Sequence, residues 1–247
     1  MRLVTVAHGT RSAAGNAVAR RLTALAGRRL GVPAVASYVE LCAPSLATVL
    51  AGSSEPTVVV PLLLSTGFHV RHDLPAALAT APGPVRHAGP LGPLPLLAQA
   101  QAAGLRVAGA SAGQPVVLVA AGSRDPLAAP DLAAAVRLLA HAWEGPVTAA
   151  TLSGPEPRPA DVVTPDHAVT PYLLAPGHFA TRARAESATA SCVAGVLGTH
   201  PAVVELVTLR FREALGDLPR PRSPDDRRAR QRAALTNPTH TPSVMTQ

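Results

Sequence analysis

The chain has 247 residues, 47% of them hydrophobic, which is enough to bury a sizeable core in one large domain or two small ones. The formal net charge is +7, but aromatic residues make up only 2% of the chain and no nucleic-acid-binding motif is visible, so we expect no nucleic acid partner. Neither Cys42 nor Cys192 lies in a CxxC motif, and no apolar run is long enough to span a membrane, so a disulfide framework, a cysteine metal site and a membrane partner are not expected.

The N-terminal part of the chain alternates between short apolar runs and helical segments. Residues 3–7 predict a strand that is buried on both faces. Because this segment is typical of a strand and not of the apolar region of a signal peptide, we expect a cytoplasmic protein. A helix follows and ends at Gly31, where glycine can adopt the left-handed conformation of a helix cap. Residues 32–41 predict a second strand, 43–52 a second helix and 57–65 a third strand. This alternation favours parallel strands joined by right-handed crossovers.

Two signals of the first half return in the second half in the same order. The segment "VTVAHGTR" (residues 4–11) is similar to "VLVAAGSR" (117–124), and "VVVPLLLSTGFHV" (58–70) is similar to "AVTPYLLAPGHFA" (168–180). The last two segments share a proline at matching positions, which is uncommon inside a strand because proline removes a backbone donor. A duplicated α/β unit of about 110 residues is the simplest explanation.

We therefore predict an α/β fold of two similar domains, each a parallel sheet flanked by helices, with a cleft between them. Residues 1–112 form the first predicted domain and residues 113–214 the second, which has a helix at about 130–143. Residues 215–247 are rich in proline and arginine and poor in aliphatic residues, and we expect them to be disordered. The oligomeric state stays open, although a duplication supplies two lobes within one monomer.

Three residues that could bind a metal follow successive predicted strands. His8 follows the first strand, Glu40 closes the second and His69 lies just past the third. Functional groups in parallel α/β sheets collect at these carboxyl ends, and two imidazoles with one carboxylate suit Fe²⁺, Co²⁺, Ni²⁺ or Zn²⁺. Each residue alone is more often an ordinary loop residue, so the combination carries the prediction. The second half has Ala121 at the position of His8 and no carboxylate to match Glu40, which places the site in the first half.

The residue pattern alone leaves other classes of protein open. A metal carrier or sensor without catalysis needs the same ligands, and so does a zinc hydrolase on an α/β fold. The hydrolase is less favoured because no nucleophile motif such as GxSxG is present. A nucleotide-binding fold is less favoured because neither GxGxxG nor a P-loop follows the first strand.

A resemblance to a known family is carried by four segments of the first half, "VAHGTR", "YVELCAPSL", "PLLLSTGFHVRHDLP" and "GPLGPLPLL". Together they resemble the sirohydrochlorin chelatase family, the class II chelatases of sirohaem and cobalamin synthesis. The segments "LVAAGSRDP" and "APGHFATRA" are similar to the second half of its two-domain members, so the resemblance spans about residues 1–214. It implies a lyase that inserts Fe²⁺ or Co²⁺ into sirohydrochlorin without ATP and without a permanently bound cofactor. A non-catalytic metal- or tetrapyrrole-binding protein on the same fold is the alternative.

The resemblance also implies roles for individual residues. The metal-handling and catalytic residues of the family map onto His8, His69 and Glu40, and a histidine or the carboxylate would accept a pyrrole proton. The implied tetrapyrrole has a rim of carboxylates, which arginines can hold through paired hydrogen bonds. By position, the substrate-binding candidates are Arg11, Arg71, Arg124, Arg182 and the histidine of the "GHF" segment, His178.

Overall fold

The structure, a computed structural model, describes residues 1–66, 73–123, 125 and 128–216. The predictions made for His69, Arg71, Arg124 and residues 217–247 of the expected disordered tail lie outside these residues, whereas residues 215 and 216, also expected to be disordered, end a helix. Within the described ranges, no helix combines the length and the apolar character that a membrane crossing needs.

The first half forms a parallel sheet of four strands. The strands are β1 (Arg2–Ala7), β2 (Ala34–Tyr38), β3 (Thr57–Pro61) and β4 (Val85–His87), in the order β2-β1-β3-β4. The connecting helices are α1 (Ala13–Leu30), α2 (Leu46–Ala51) and α3 (Leu74–Leu78). Helix α1 ends as predicted, because Gly31 adopts the left-handed conformation (φ 68°) and its N–H bonds to helix carbonyls. Strands β2 and β3 are shorter than predicted, because the chain leaves the sheet at their carboxyl ends to form loops.

The second half repeats this sheet, which confirms the predicted duplication of the fold. Its strands are β5 (Val116–Ala120), β6 (Val147–Thr151), β7 (Ala168–Tyr172) and β8 (Cys192–Val193), in the equivalent order β6-β5-β7-β8. Its helices are α5 (Ala128–Trp143), α6 (Pro159–Val162) and α7 (His178–Glu186). Helix α5 agrees with the predicted helix at about 130–143.

Two helices cross between the halves: each follows the sheet of one half in the sequence but packs on the other half. Helix α4 (Pro95–Val107) follows the first sheet but packs on α5 and β7, whereas α8 (Pro201–Leu215) follows the second sheet and packs on α1 and β3. An ion pair joins Arg29 of α1 to Glu205 of α8. Arg86 of β4 donates to the carbonyl of Leu215 (3.0 Å) at the end of α8. The two halves therefore share one layer of helices, in the order α1, α8, α4 and α5.

The buried side chains follow this arrangement. Strand residues alternate between the two faces of a sheet, so Leu3 and Leu118 face the shared helices while Val4 and Val117 face outward. The inward residues of both sheets belong to one hydrophobic cluster, which also contains Phe211 of α8. The outward residues form two separate clusters, one under each sheet. The main core thus belongs to both halves together.

Candidate functional site

The loop after β1 and the loop after β2 are held against each other at the carboxyl end of the first sheet. His8 is the first residue beyond β1, and its carbonyl accepts the backbone N–H of Glu40 (3.0 Å). Gly9 has a positive φ of 95°, and a Cβ at this position would overlap the carbonyl oxygen of Glu40. This close approach of the two backbones brings the side chains of His8 and Glu40 together.

The His8 and Glu40 side chains form a pair at the carboxyl edge of this sheet. The Nε2 atom of His8 lies 3.0 Å from Oε1 of Glu40, and the two side chains are 43% and 50% exposed. The other ring nitrogen, Nδ1, lies 3.1 Å from the carbonyl oxygen of Gly9. Metal–ligand bonds of about 2.0–2.2 Å place two ligands at right angles on one ion about 3 Å apart. The separation of 3.0 Å is also that of an N–H···O hydrogen bond, so the pair is a hydrogen-bonded histidine and carboxylate whose two atoms are close enough to contact one ion.

Two of the three predicted metal ligands are thus brought together. The third, His69, lies outside the described residues. Within the part of the chain that the structure describes, no set of three or more His, Cys, Asp or Glu side chains is arranged to hold a metal ion.

A cleft with a volume of about 970 Å³ opens beside this pair. Its first wall includes residues 7–12 and 62–66 of the first half, and its second wall includes residues 120–123 and 172–180 of the second half. His8 is part of the lining, whereas Glu40 contacts His8 without being one of the described residues that line the cleft. The volume is at the upper end of the range of about 300–1,000 Å³ that is usual for small-molecule sites.

Hydrogen bonds between the halves fix the floor of the cleft. The hydroxyl of Tyr172 donates to the carbonyl of Leu64 (3.0 Å), and the backbone N–H of Thr66 donates to Oδ2 of Asp131 (2.6 Å). Burial raises the pKa of the Tyr172 phenol, with a further contribution from the Asp131 carboxylate, so the hydroxyl keeps its proton and remains a donor. The second half therefore positions the first-half segment that follows β3.

The predicted substrate-binding residues fall into three groups. Arg11 and His178 line the cleft, one from each half. Arg71 and Arg124 lie outside the described residues. Arg182 is not among the described lining residues, and its Nη2 donates to Glu186 (2.9 Å) and to the carbonyl of Leu152 (3.2 Å). Arg182 is thus engaged in a contact within the second half.

Arg182 belongs to a charged network around Glu186. Arg158 donates from Nη2 to both Glu186 oxygens (2.7 Å and 2.9 Å). The Arg158 hydrogen bonds, followed by those from Arg182, hold the pKa of Glu186 below its usual range, against the effect of burial. The network links α7 to the loop before α6, so Arg182 has a structural role in this network.

We predict that Glu186→Gln lowers the stability of the protein by about 1–3 kcal/mol at neutral pH, because the charge-assisted hydrogen bonds from Arg158 and Arg182 are weakened. Since the pKa of Glu186 is lowered in the folded state, its contribution is complete above the ordinary glutamate pKa and is lost as the pH falls through the lowered value. Thermal unfolding of the two proteins between pH 7 and pH 2 measures this. The difference in Tm should shrink toward acid pH, and a pH-independent difference would contradict the assignment.

Tyr172 and Asp131 were missed from the sequence. Tyr172 follows the proline that both halves share, but a tyrosine at the end of a buried strand is usual for a core residue. Asp131 lies in the first turn of α5, where a carboxylate is expected for local reasons. Each of these two residues makes its hydrogen bond to the other half of the chain. The local sequence around a residue does not show which distant segment it will contact.

A family model named CbiX matches residues 2–107 and again residues 115–214. The repeated match agrees with the duplicated fold. None of the curated proteins matches the chain.

Solved structures with the same fold include SirB from Bacillus subtilis with Fe³⁺, with 24% identity, a TM-score of 0.70, and coverage of 86% of this chain and 94% of that one. The sirohydrochlorin chelatase SirB from Bacillus subtilis subspecies spizizenii, in complex with cobalt, has 24% identity and a TM-score of 0.67 over 87% and 95% of the two chains. A CbiX structure, described as the terminal enzyme for biosynthesis of siroheme in denitrifying bacteria, has 25% identity and a TM-score of 0.64 over 87% and 99%.

Proposed function

Because the chain belongs to the CbiX family of sirohydrochlorin chelatases, we propose that it inserts Fe²⁺ or Co²⁺ into sirohydrochlorin. Two of the similar structures are described with iron or cobalt, and one is described as an enzyme of sirohaem synthesis. The observation that carries the proposal is the His8–Glu40 pair, which lies beside a cleft built from both halves. A metal site and a cavity for a large organic ligand are the two features that this reaction needs.

In the proposed mechanism the metal ion is a substrate, held first by Nε2 of His8 and Oε1 of Glu40. His69 is the proposed third ligand, on the strength of the family resemblance. Nitrogen and oxygen donors suit both Fe²⁺ and Co²⁺, so this ligand set accepts either metal. A small, solvent-exposed ligand set releases its ion more easily than a closed structural site of four ligands. The ion can therefore pass to the four ring nitrogens of the tetrapyrrole.

The same pair can receive the protons that the macrocycle releases. A tetrapyrrole loses two ring protons when a divalent metal enters it, and a nearby base assists this step. Once the ion has left, a proton on Nε2 of His8 is held by Oε1 of Glu40, since these atoms lie 3.0 Å apart. Histidine is suited to this exchange because its ordinary pKa lies close to neutral pH. No step in this scheme requires ATP.

Arg11 and His178 are the proposed contacts for the carboxylate rim of the substrate, because both line the cleft. Arginine binds carboxylates through two parallel hydrogen bonds. Arg71 and Arg124 remain proposed contacts from their positions in the sequence. Arg182 is left out of this set, since its guanidinium is paired with Glu186.

The proposal is tested by anaerobic absorbance spectroscopy of the purified protein with sirohydrochlorin and either Fe²⁺ or Co²⁺. We expect metal insertion faster than the spontaneous reaction, without added ATP. Stoichiometric binding of the tetrapyrrole with no acceleration by either metal would instead support the non-catalytic alternative.

A further inference from the structure

Leu41 has a backbone conformation that leucine rarely adopts. Its φ is +66°, and among the described residues only Glu144 is another non-glycine residue with a positive φ. This conformation brings the Cβ too close to the neighbouring carbonyl, so glycine or asparagine is the usual residue there. Leu41 is also 53% exposed and lines the cleft. Neither local backbone preference nor burial in the core explains a leucine at this position.

The second half shows which residue the backbone alone would favour. Tyr38 ends β2 and Thr151 ends β6, and each donates its backbone N–H to a proline carbonyl six residues later (3.0 Å and 2.9 Å). Three residues after these positions lie Leu41 and Gly154, and Gly154 also has a positive φ of 106°. The two loops thus share this hydrogen bond and a positive φ at the same position, where the second half has glycine and the first half has leucine. The strained backbone therefore makes the Leu41 side chain a candidate for a role in the cleft.

Phe179 is a comparable side chain on the opposite wall of the cleft. It is the second residue of α7, is 40% exposed, and its ring packs edge-on against His178 with the centroids 5.7 Å apart. The described large hydrophobic residues that are exposed are Met1, Val35, Leu41, Val107 and Phe179. Of these five, Leu41 and Phe179 line the cleft, one from each half.

We propose that Leu41 and Phe179 bind the apolar faces of the flat tetrapyrrole ring. This inference rests on the proposed function and names two residues that position its substrate. A conjugated macrocycle with carboxylates at its rim presents apolar faces, and covering these faces buries the two exposed side chains from water. Leu41 directly follows Glu40 and lines the cleft together with His8, so a ring packed on Leu41 lies in the cleft that His8 also lines. The strained backbone of Leu41 thereby serves to place the substrate near the metal.

The test replaces Leu41 with asparagine, which has a similar shape, tolerates a positive φ and is polar. We expect the Tm to stay the same or rise, because the backbone strain is relieved. The Kd for metal-free sirohydrochlorin, measured by absorbance titration, should rise about five- to tenfold, since part of a leucine side chain loses its apolar contact. Phe179→Ser should raise the Kd in the same way. Val107→Asn is the matched control, because Val107 is 90% exposed and does not line the cleft.

Repeating the titration at high salt separates apolar from ionic contacts. Screening weakens interactions between exposed charges, so the effect of Leu41→Asn should not change with salt, whereas the effect of Arg11→Gln should shrink. A Kd within twofold of wild type for both Leu41→Asn and Phe179→Ser would overturn the inference. If both Kd values are unchanged and the wild-type protein inserts metal normally, the proposed function stands and only the inference about Leu41 and Phe179 fails. If tetrapyrrole binding depends on Leu41 but no metal is inserted, the inference stands and the proposed function fails.

Discussion

Replacing His8 with alanine is expected to slow metal insertion by about 10²- to 10⁴-fold, the range typical for the loss of an acid–base group. The substitution removes the imidazole nitrogen that lies 3.0 Å from Oε1 of Glu40, and with it one proposed metal ligand and one proposed proton acceptor. Stability should change by less than about 1 kcal/mol, because the side chain is 43% exposed and makes a solvent-accessible pair. Anaerobic insertion kinetics and thermal unfolding of the same sample measure the two effects.

The matched control for this experiment is His141→Ala. His141 is exposed on α5 and does not line the cleft, so its removal tests for a general effect of losing a surface histidine. Its insertion rate should equal that of the wild type. A wild-type rate in His8→Ala would remove His8 from the mechanism. An equal loss of rate and of helical structure would show that His8 acts through the fold.

Replacing Phe211 with alanine is expected to destabilise both halves together by about 3–5 kcal/mol. Phe211 lies in α8 and is 4% exposed, within the cluster that the two sheets share. Trp143, which is the one tryptophan of the chain, is buried in α5 of the second half and reports on unfolding there. Circular dichroism reports on both halves. Because the core is shared, both signals should move to the same lower denaturant concentration.

Separate transitions for tryptophan fluorescence and circular dichroism would contradict a single shared core. They would show that α8 stabilises the first half independently of the second. Val107→Ala in α4 is the control, since an exposed residue should change stability by no more than about 0.5 kcal/mol.

The prediction of the strands and of the duplication rested on local patterns. Apolar runs such as residues 3–7 favour burial, and this run lies in β1 as expected. Gly31 ends α1 because a left-handed cap is easiest for glycine. His8 and Glu40 were predicted to meet because neighbouring parallel strands end at the same edge of a sheet.

The contacts that shape the cleft could not be predicted in this way. The sequence places α4 and α8 in different halves, and only packing shows that each crosses to the other sheet. Arg182 was expected to bind substrate, but in the fold it meets Glu186, one helical turn later. Whether an arginine points to a cleft or to a neighbouring carboxylate depends on how its helix is rotated, which its position past a strand does not specify.

The sequence by itself determined the two repeated α/β units, the family resemblance and the meeting of His8 with Glu40, since each follows from local periodicity or from motifs. The tertiary structure decided the shared core, the hydrogen bonds that Tyr172 and Asp131 make between the halves, and the position of Leu41 in the lining of the cleft. These features depend on residues far apart in the chain. The free energy that stabilises these contacts comes from burying apolar surface and from hydrogen bonds between the halves, and neither exists until the two halves are packed together.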